Sequence, residues 1–220
     1  MPKVGVVLSG CGVMDGSEIH EAVSTLIALT QAGVEYQCLA PNAPQMHVMD
    51  HLKGKPAVGE TRNILTESAR IARGNMMPLD AVKAADFDAY IFPGGFGAAK
   101  NLCTFAVEGP ACNVQPDVAR LIKDAHAQRK PLCFICIAPV IAAKVLGRET
   151  GLSLTIGNDP ETAQAIQSLG ARHVNCVTED ALVDKANRVV STPAYMTAKD
   201  IGQVFTSIKN AVNETIKLLG

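Results

Sequence analysis

The sequence predicts an α/β fold: a mostly parallel sheet with helices on both faces. Three observations carry this. Short apolar or β-branched runs recur from end to end, segments of helical periodicity separate most of them, and several runs stop at Gly or Pro. Strands alternating with helices pair in parallel, because each crossover helix must pack back onto the sheet.

Residues 4–8 (Val-Gly-Val-Val-Leu) form the first expected strand, which ends at Ser9-Gly10-Cys11-Gly12. From Ser17, the residues Ile19, Ala22, Val23, Leu26, Ile27 and Thr30 follow helical spacing until Gly33 stops them. Residues 34–40 read as a strand closed by Pro41, 60–73 as a helix ended by Gly74, and 88–92 as a strand closed by Pro93-Gly94-Gly95. Residues 116–130 open on a proline and read as a helix, since Pro at the first helical position loses no hydrogen bond. A fully apolar strand at 132–135 is expected to run straight into a helix over 137–146. A strand at 153–156, a helix at 160–169, short strands at 174–177, 181–184 and 188–191, and a closing helix at 197–219 complete the pattern. Residues 41–59 show no clear period and are expected to leave the sheet as an excursion. With no repeat, linker or low-complexity tract, residues 1–220 are expected to form a single domain.

Composition narrows the function. The 220 residues are 48% apolar, which suits a globular chain with a sizeable core. Twenty basic residues balance 21 acidic ones without a basic run, and aromatic content is 4% with no Trp. Neither nucleic acid nor a membrane surface is therefore an expected partner. Seven scattered cysteines without framework spacing suit a reducing compartment. No basic and apolar leader is read ahead of residues 4–8, so the expected location is cytoplasmic.

Open α/β sheets place their sites outside the carboxyl ends of the strands. The first candidate there is Leu132-Cys133-Phe134-Ile135-Cys136-Ile137-Ala138-Pro139. A residue held where a buried strand turns directly into a helix is strained and exposed above the sheet, and the helix N-terminus favours a thiolate. The plainer reading of Cys136 is a small buried hydrophobe. Cys133 and Cys136 also spell C-x-x-C. Three residues of strand separate α-carbons by ~10 Å, whereas a disulfide needs less than about 7 Å. No second Cys/His pair of zinc spacing follows, so no metal is expected.

The second candidate is Pro93-Gly94-Gly95-Phe96-Gly97, whose glycines let backbone N–H groups approach a developing negative charge. The third is residues 9–18. It begins like a dinucleotide-binding loop but carries Asp15 where the third glycine belongs, and it lacks a phosphate-binding lysine motif. No cofactor is expected. Ser17 reads as the helix cap and Glu18 as a first-turn residue. Glu18 is either a partner of the helix dipole or an inward carboxylate that shuttles protons for a reactive cysteine. Thr192 and Tyr195 can line a pocket or merely turn the chain into the last helix.

These loops together resemble the ElbB family (enhancing lycopene biosynthesis) of the ThiJ/PfpI class I glutamine amidotransferase-like superfamily. The carrying segments are residues 8–13, 15–22, 60–63, 93–102, 136–139, 154–157 and 192–196, in one order across nearly the whole chain. The resemblance implies a flavodoxin-like, doubly wound, mostly parallel sheet in a three-layer sandwich. It implies a nucleophile elbow at Cys136, with Glu18 as the carboxylate beside it. It also implies an oxyanion hole from the backbone around Gly95 and Ile137, and a homodimer. Gly94 is expected to join those backbone donors, and Cys11, Asn158, Thr192 and Tyr195 are the expected pocket lining. The implied activity is a cofactor-free, glutathione-independent glyoxalase-like lyase that converts a small aldehyde, glyoxal, to glycolate, with a link to isoprenoid biosynthesis. A non-catalytic redox-sensing or chaperone-like regulator and an amidotransferase-like subunit are the alternatives. The sequence departs from related triads: Ile137 stands where PfpI-like proteases have histidine, and Gly157-Asn158-Asp159 stands where related glyoxalases have one. Phe134 is also bulky for a residue so close to a tight elbow.

Overall fold

The computed structural model describes residues 1–220. Its centre is a seven-stranded sheet built from β1 (Lys3–Val7), β2 (Glu35–Ala40), β5 (Met76–Pro78), β6 (Ala89–Phe92), β7 (Leu132–Ile135), β10 (Leu182–Asp184) and β11 (Val189–Thr192). The spatial order is β10-β11-β7-β6-β1-β2-β5. All pairs are parallel except the edge pair of β10 with β11. From β1 the chain winds outward to β2 and β5, then returns to the other side of β1 to build β6, β7 and β11. The winding thus reverses between β1 and β6, which is where open α/β sheets form their binding crevice.

Strand alternation sorts the core into two layers. The aligned row Cys38, Val6, Ile91, Cys133 and Val190 faces one way. It packs beneath α1 (Ile19–Gln31) and α8 (Ile201–Lys217), with α2 (Ile64–Ile71) beside α1. Tyr90, Leu132 and Val189, followed by Phe92 and Phe134, face the other way against α5 (Pro116–Ala127) and α6 (Pro139–Thr150). Phe134 stacks on Phe92 with ring centroids 4.8 Å apart, on the face away from α1 and α8. It therefore fills the opposite core instead of crowding the turn at Cys136. The predicted flavodoxin-like, doubly wound sandwich is the observed fold.

Boundaries differ where local chemistry outweighs periodicity. Cys136-Ile137-Ala138 form a tight turn, so α6 begins only at Pro139. The second helix begins at Ile64, because the Asn63 side chain caps it by accepting from the Thr66 amide. The last helix begins at Ile201 behind an Asp200 cap, and a short 3-10 turn occupies Ala194–Met196. Ser17 is not the cap of α1. Its hydroxyl turns inward to accept from the Ser9 amide at 2.8 Å, and Glu18 caps instead. The expected strand at 153–156 shrinks to β8 (Ser153–Leu154). It pairs with β9 (Arg172–His173) outside the main sheet, and 174–177 forms no strand. The strand β5 and the short helices α3 (Phe96–Lys100) and α4 (Phe105–Glu108) fell below the length at which a period can be read. Helix α7 (Pro160–Ser168) stands as predicted. The excursion 41–59 holds a small hairpin of β3 (Met49–Asp50) and β4 (Lys55–Pro56). It lies on the loop after β1, where Asp15 accepts from the Met49 amide and His51 from the Met14 amide. No helix is long and apolar enough to cross a membrane.

Candidate active site

Cys136 follows β7 directly and holds φ +60°, in the left-handed region that residues with a Cβ disfavour by roughly 1–2 kcal/mol. Neighbouring hydrogen bonds enforce the conformation. The Cys136 amide donates to the Thr192 carbonyl at 2.9 Å, and the Ala138 amide closes the turn onto Ile135 at 3.0 Å. The side chain is 7% exposed. The amides of Gly95 and Ile137 point at its sulfur.

The carboxyl group that meets the thiol belongs to Glu21, not Glu18. Glu21 is fully buried on the first turn of α1. One oxygen accepts from the Gly94 amide at 3.0 Å, the other from the Tyr195 amide at 3.2 Å, and the group hydrogen-bonds Cys136. Glu18 caps the helix by accepting from the Glu21 amide at 2.8 Å, and its remaining surface lines the cavity above the thiol. The sequence singled out Glu18 from the loop and overlooked Glu21 one helical turn later. A signal existed: Glu21 falls on the buried stripe of α1 with Thr25 and Ala28, where a carboxylate needs a reason to be.

The pair titrates far from ordinary values. Burial, then the neighbouring Glu18 charge, pushes Glu21 up to about 8. Burial, then the Glu21 charge, pushes the Cys136 thiol well up, against the lowering by the Gly95 and Ile137 amides. The helix N-terminus therefore does not set the thiol's state. Helix α6 starts three residues later, and desolvation outweighs it. Near neutral pH the site rests as a thiol beside a mostly protonated carboxyl group.

A cavity of about 360 Å³ opens above this pair, bounded by Glu18, Phe96, Ile137, Thr162, Tyr195 and Met196. Two glycines make the arrangement possible. A Cβ on Gly94 would stand 2.5 Å from the Cys136 Cβ and 2.7 Å from the Glu21 carboxylate. Gly95 holds φ +92°, and a Cβ there would meet the Glu18 amide at 2.3 Å. Gly94→Ala is expected to lower the urea midpoint and at least tenfold slow any reaction at Cys136. Wild-type values for both would show that the loop relaxes freely.

The other expected site residues divide. Tyr195 lines the cavity, and the Gly95 and Ile137 amides are directed at the Cys136 sulfur. Gly94 is not a free oxyanion donor, because its amide is held by Glu21. Thr192 lies behind the site, fully buried, with its hydroxyl bonded to the Asp180 carbonyl and to Ser207. Asn158 borders a separate cavity with Cys176 and Thr197. Cys11 does not line this cavity, and the charges of Arg70, Glu67 and Asp15 lie close enough to act on its thiol. No histidine lines the cavity. His20 instead bonds the Tyr195 hydroxyl at 2.7 Å, with Glu18 at 3.9 Å from the same ring nitrogen.

A cysteine on a positive-φ elbow after β7, with a buried glutamate beside it, is the site that similar proteins place in the ThiJ/PfpI class I glutamine amidotransferase-like superfamily. Solved structures agree. The protein is similar to a crystal structure from Ehrlichia chaffeensis described as an isoprenoid biosynthesis protein with amidotransferase-like domain, with TM-score 0.93, 34% identity and full coverage of both chains. Drosophila DJ-1beta, at 17% identity and TM-score 0.57 over 99% and 95% of the two chains, shares the fold. No family model matches the chain. Among curated proteins, it is 50% identical to human "glutamine amidotransferase-like class 1 domain-containing protein 3, mitochondrial", over 99% of this chain and 84% of the relative. It is 41% identical to zebrafish "ES1 protein, mitochondrial", over 98% and 86%. The chain belongs to this ElbB/ES1 family of glutamine amidotransferase-like class 1 proteins.

The same relatives overturn the cytoplasmic expectation, since those from human, rat and zebrafish are all named mitochondrial. Free cysteines report a reducing environment, which the mitochondrial matrix and the cytoplasm share, so they could not tell the two apart.

Proposed function

We propose that the protein is a glutathione-independent, cofactor-free glyoxalase-like lyase that acts on small dicarbonyl aldehydes, converting glyoxal to glycolate through Cys136. The observation that supports this most is the convergence of thiol, carboxyl and two backbone donors under one small cavity. In the step we infer, Glu21 in its carboxylate form takes the thiol proton as sulfur bonds to an aldehyde carbon and passes it to the new alkoxide oxygen, giving a hemithioacetal with Glu21 again a carboxylate. Glu21 then moves a proton from that carbon to the neighbouring carbonyl carbon through an enediol, leaving a hydroxyacyl thioester. Water displaces the sulfur and glycolate departs with the thiol restored. The Gly95 and Ile137 amides face the oxyanion, and such donors carry their largest effect in a dry site.

An amidotransferase or protease role has less support, because no histidine contacts the cysteine. The Ehrlichia relative's description makes isoprenoid metabolism the cellular setting we favour. The test is glycolate formation from glyoxal followed by NMR across pH. The rate should climb as Glu21 ionises toward about 8. No glycolate at any pH would overturn the proposal.

We also propose that the protein forms a homodimer. Ile19, Val23 and Ile27 recur at four-residue spacing on α1, and each is about 40% exposed (42%, 39% and 41%). Val23→Asp should convert a dimer to a monomer in light scattering. A wild-type protein that is already monomeric would contradict the dimer.

A further inference from the structure

We infer that Tyr195 and His20 form a proton exit from the cavity, with His20, acting through the Tyr195 hydroxyl, standing in for the histidine that is missing after Cys136. The inference rests on the acyl-thioester chemistry proposed for Cys136, and it concerns the hydrolytic half of that reaction.

Hydrolysis of the thioester releases one proton per turnover to solvent. Glu21 cannot deliver it. Its side chain is fully buried and has no route to bulk water of its own. Tyr195 is the residue common to both sides of the problem. Its amide holds Glu21, the residue lines the cavity, and its hydroxyl meets His20 Nδ1 at 2.7 Å. The His20 side chain is 49% exposed, so the ring spans from that hydroxyl to bulk water. Glu18 Oε1, 3.9 Å from the same nitrogen, is placed to stabilise an imidazolium. The two rings also lie together, with centroids 5.9 Å apart.

The step balances as follows. With His20 neutral and protonated at Nε2, water oxygen bonds to the thioester carbon. One water proton passes to the Tyr195 oxygen as the tyrosine proton passes to Nδ1. The intermediate collapses, the C–S bond breaks, and the electron pair stays on sulfur. The carboxylic acid product passes its proton through the Glu21 carboxylate to that sulfur, leaving glycolate, a thiol and Glu21 again a carboxylate. The imidazolium releases one proton to solvent, and exchange with bulk water returns the ring to its Nε2–H tautomer. The active-site cysteine would thus be served by a histidine on α1, 116 positions before it in the chain, which no local spacing around Cys136 could reveal.

The test separates acylation from deacylation with p-nitrophenyl acetate, which needs Cys136 as a nucleophile but not glyoxal chemistry. In His20→Ala and Tyr195→Phe the steady-state rate should fall about 100-fold, the scale of general-base assistance, while the p-nitrophenol burst falls far less. Added imidazole should restore His20→Ala through its exposed site and leave Tyr195→Phe unchanged. Steady-state rates that stay at the wild-type level, or burst and steady state falling together without rescue, would overturn the inference. If these results hold while wild type makes no glycolate from glyoxal, the proton exit stands and the glyoxalase reading falls.

Discussion

Cys136→Ala is expected to abolish conversion of glyoxal to glycolate, and Cys136→Gly to do the same while folding more stably than the alanine variant. The first half follows from the chemistry, since without sulfur no hemithioacetal forms and Glu21 has no substrate-bound carbon to act on. The second half follows from the backbone. Alanine keeps the Cβ that makes φ +60° costly, while glycine removes it. Glycine also loses more freedom on folding, so the net difference should be about 1 kcal/mol in glycine's favour, read from urea midpoints. Full turnover in either variant would remove Cys136 from the mechanism. Equal stabilities would mean that the elbow stores no strain.

Glu21→Gln is expected to have the next largest effect, in two independent readouts. Activity should fall roughly 10²- to 10⁴-fold, because an amide can neither take the thiol proton nor shuttle it between substrate carbons. Stability should change its pH dependence. Glu21 titrates at about 8 in the folded protein, against an ordinary value of 4.5. A carboxyl whose folded pKa is raised contributes its full stability below the unfolded value. That contribution is lost as pH rises from 4.5 through about 8, because the folded state must then hold a buried charge. Wild type should therefore lose stability relative to Glu21→Gln between pH 5 and pH 9, by on the order of a few kcal/mol. Parallel stability curves for the two proteins would show that Glu21 is not a buried titrating group. Glu18→Gln removes the second cause that raises Glu21, so its stability should still fall with rising pH, over a window that closes at lower pH than in wild type.

The architecture was legible because each layer repeats its own signal. Apolar strands such as 132–135 and the amphipathic helices between them impose a parallel sheet, and glycine-rich loops at three strand ends located the crevice. Cys136 was legible for the same reason, since strand, cysteine and Pro139 follow one another without a loop. What escaped were contacts made by chain topology. Glu21 reaches Cys136 across 115 positions because α1 follows β1, and only β6 separates β1 from β7 in the sheet. Choosing between Glu18 and Glu21 required knowing which of them caps the helix, and that depended on Ser17 being drawn inward by Ser9. The misplaced pocket residues Cys11, Asn158 and Thr192 share one cause. None of them lines the cavity above Cys136, and side-chain direction in irregular segments follows no period. The thiol's state was misjudged from the helix N-terminus because burial by the surrounding layers, absent from any local reading, is the larger effect.

The central claim is that Cys136 and Glu21 form one coupled unit. The most direct measurement is the pH dependence of Cys136 alkylation by iodoacetamide, followed by peptide mass spectrometry, in wild type, Glu21→Gln and Glu18→Gln. Slow wild-type alkylation at neutral pH, with a midpoint that falls clearly in Glu21→Gln and moves less in Glu18→Gln, is the predicted result. A midpoint unchanged by Glu21→Gln, or shifted mainly by Glu18→Gln, would contradict it.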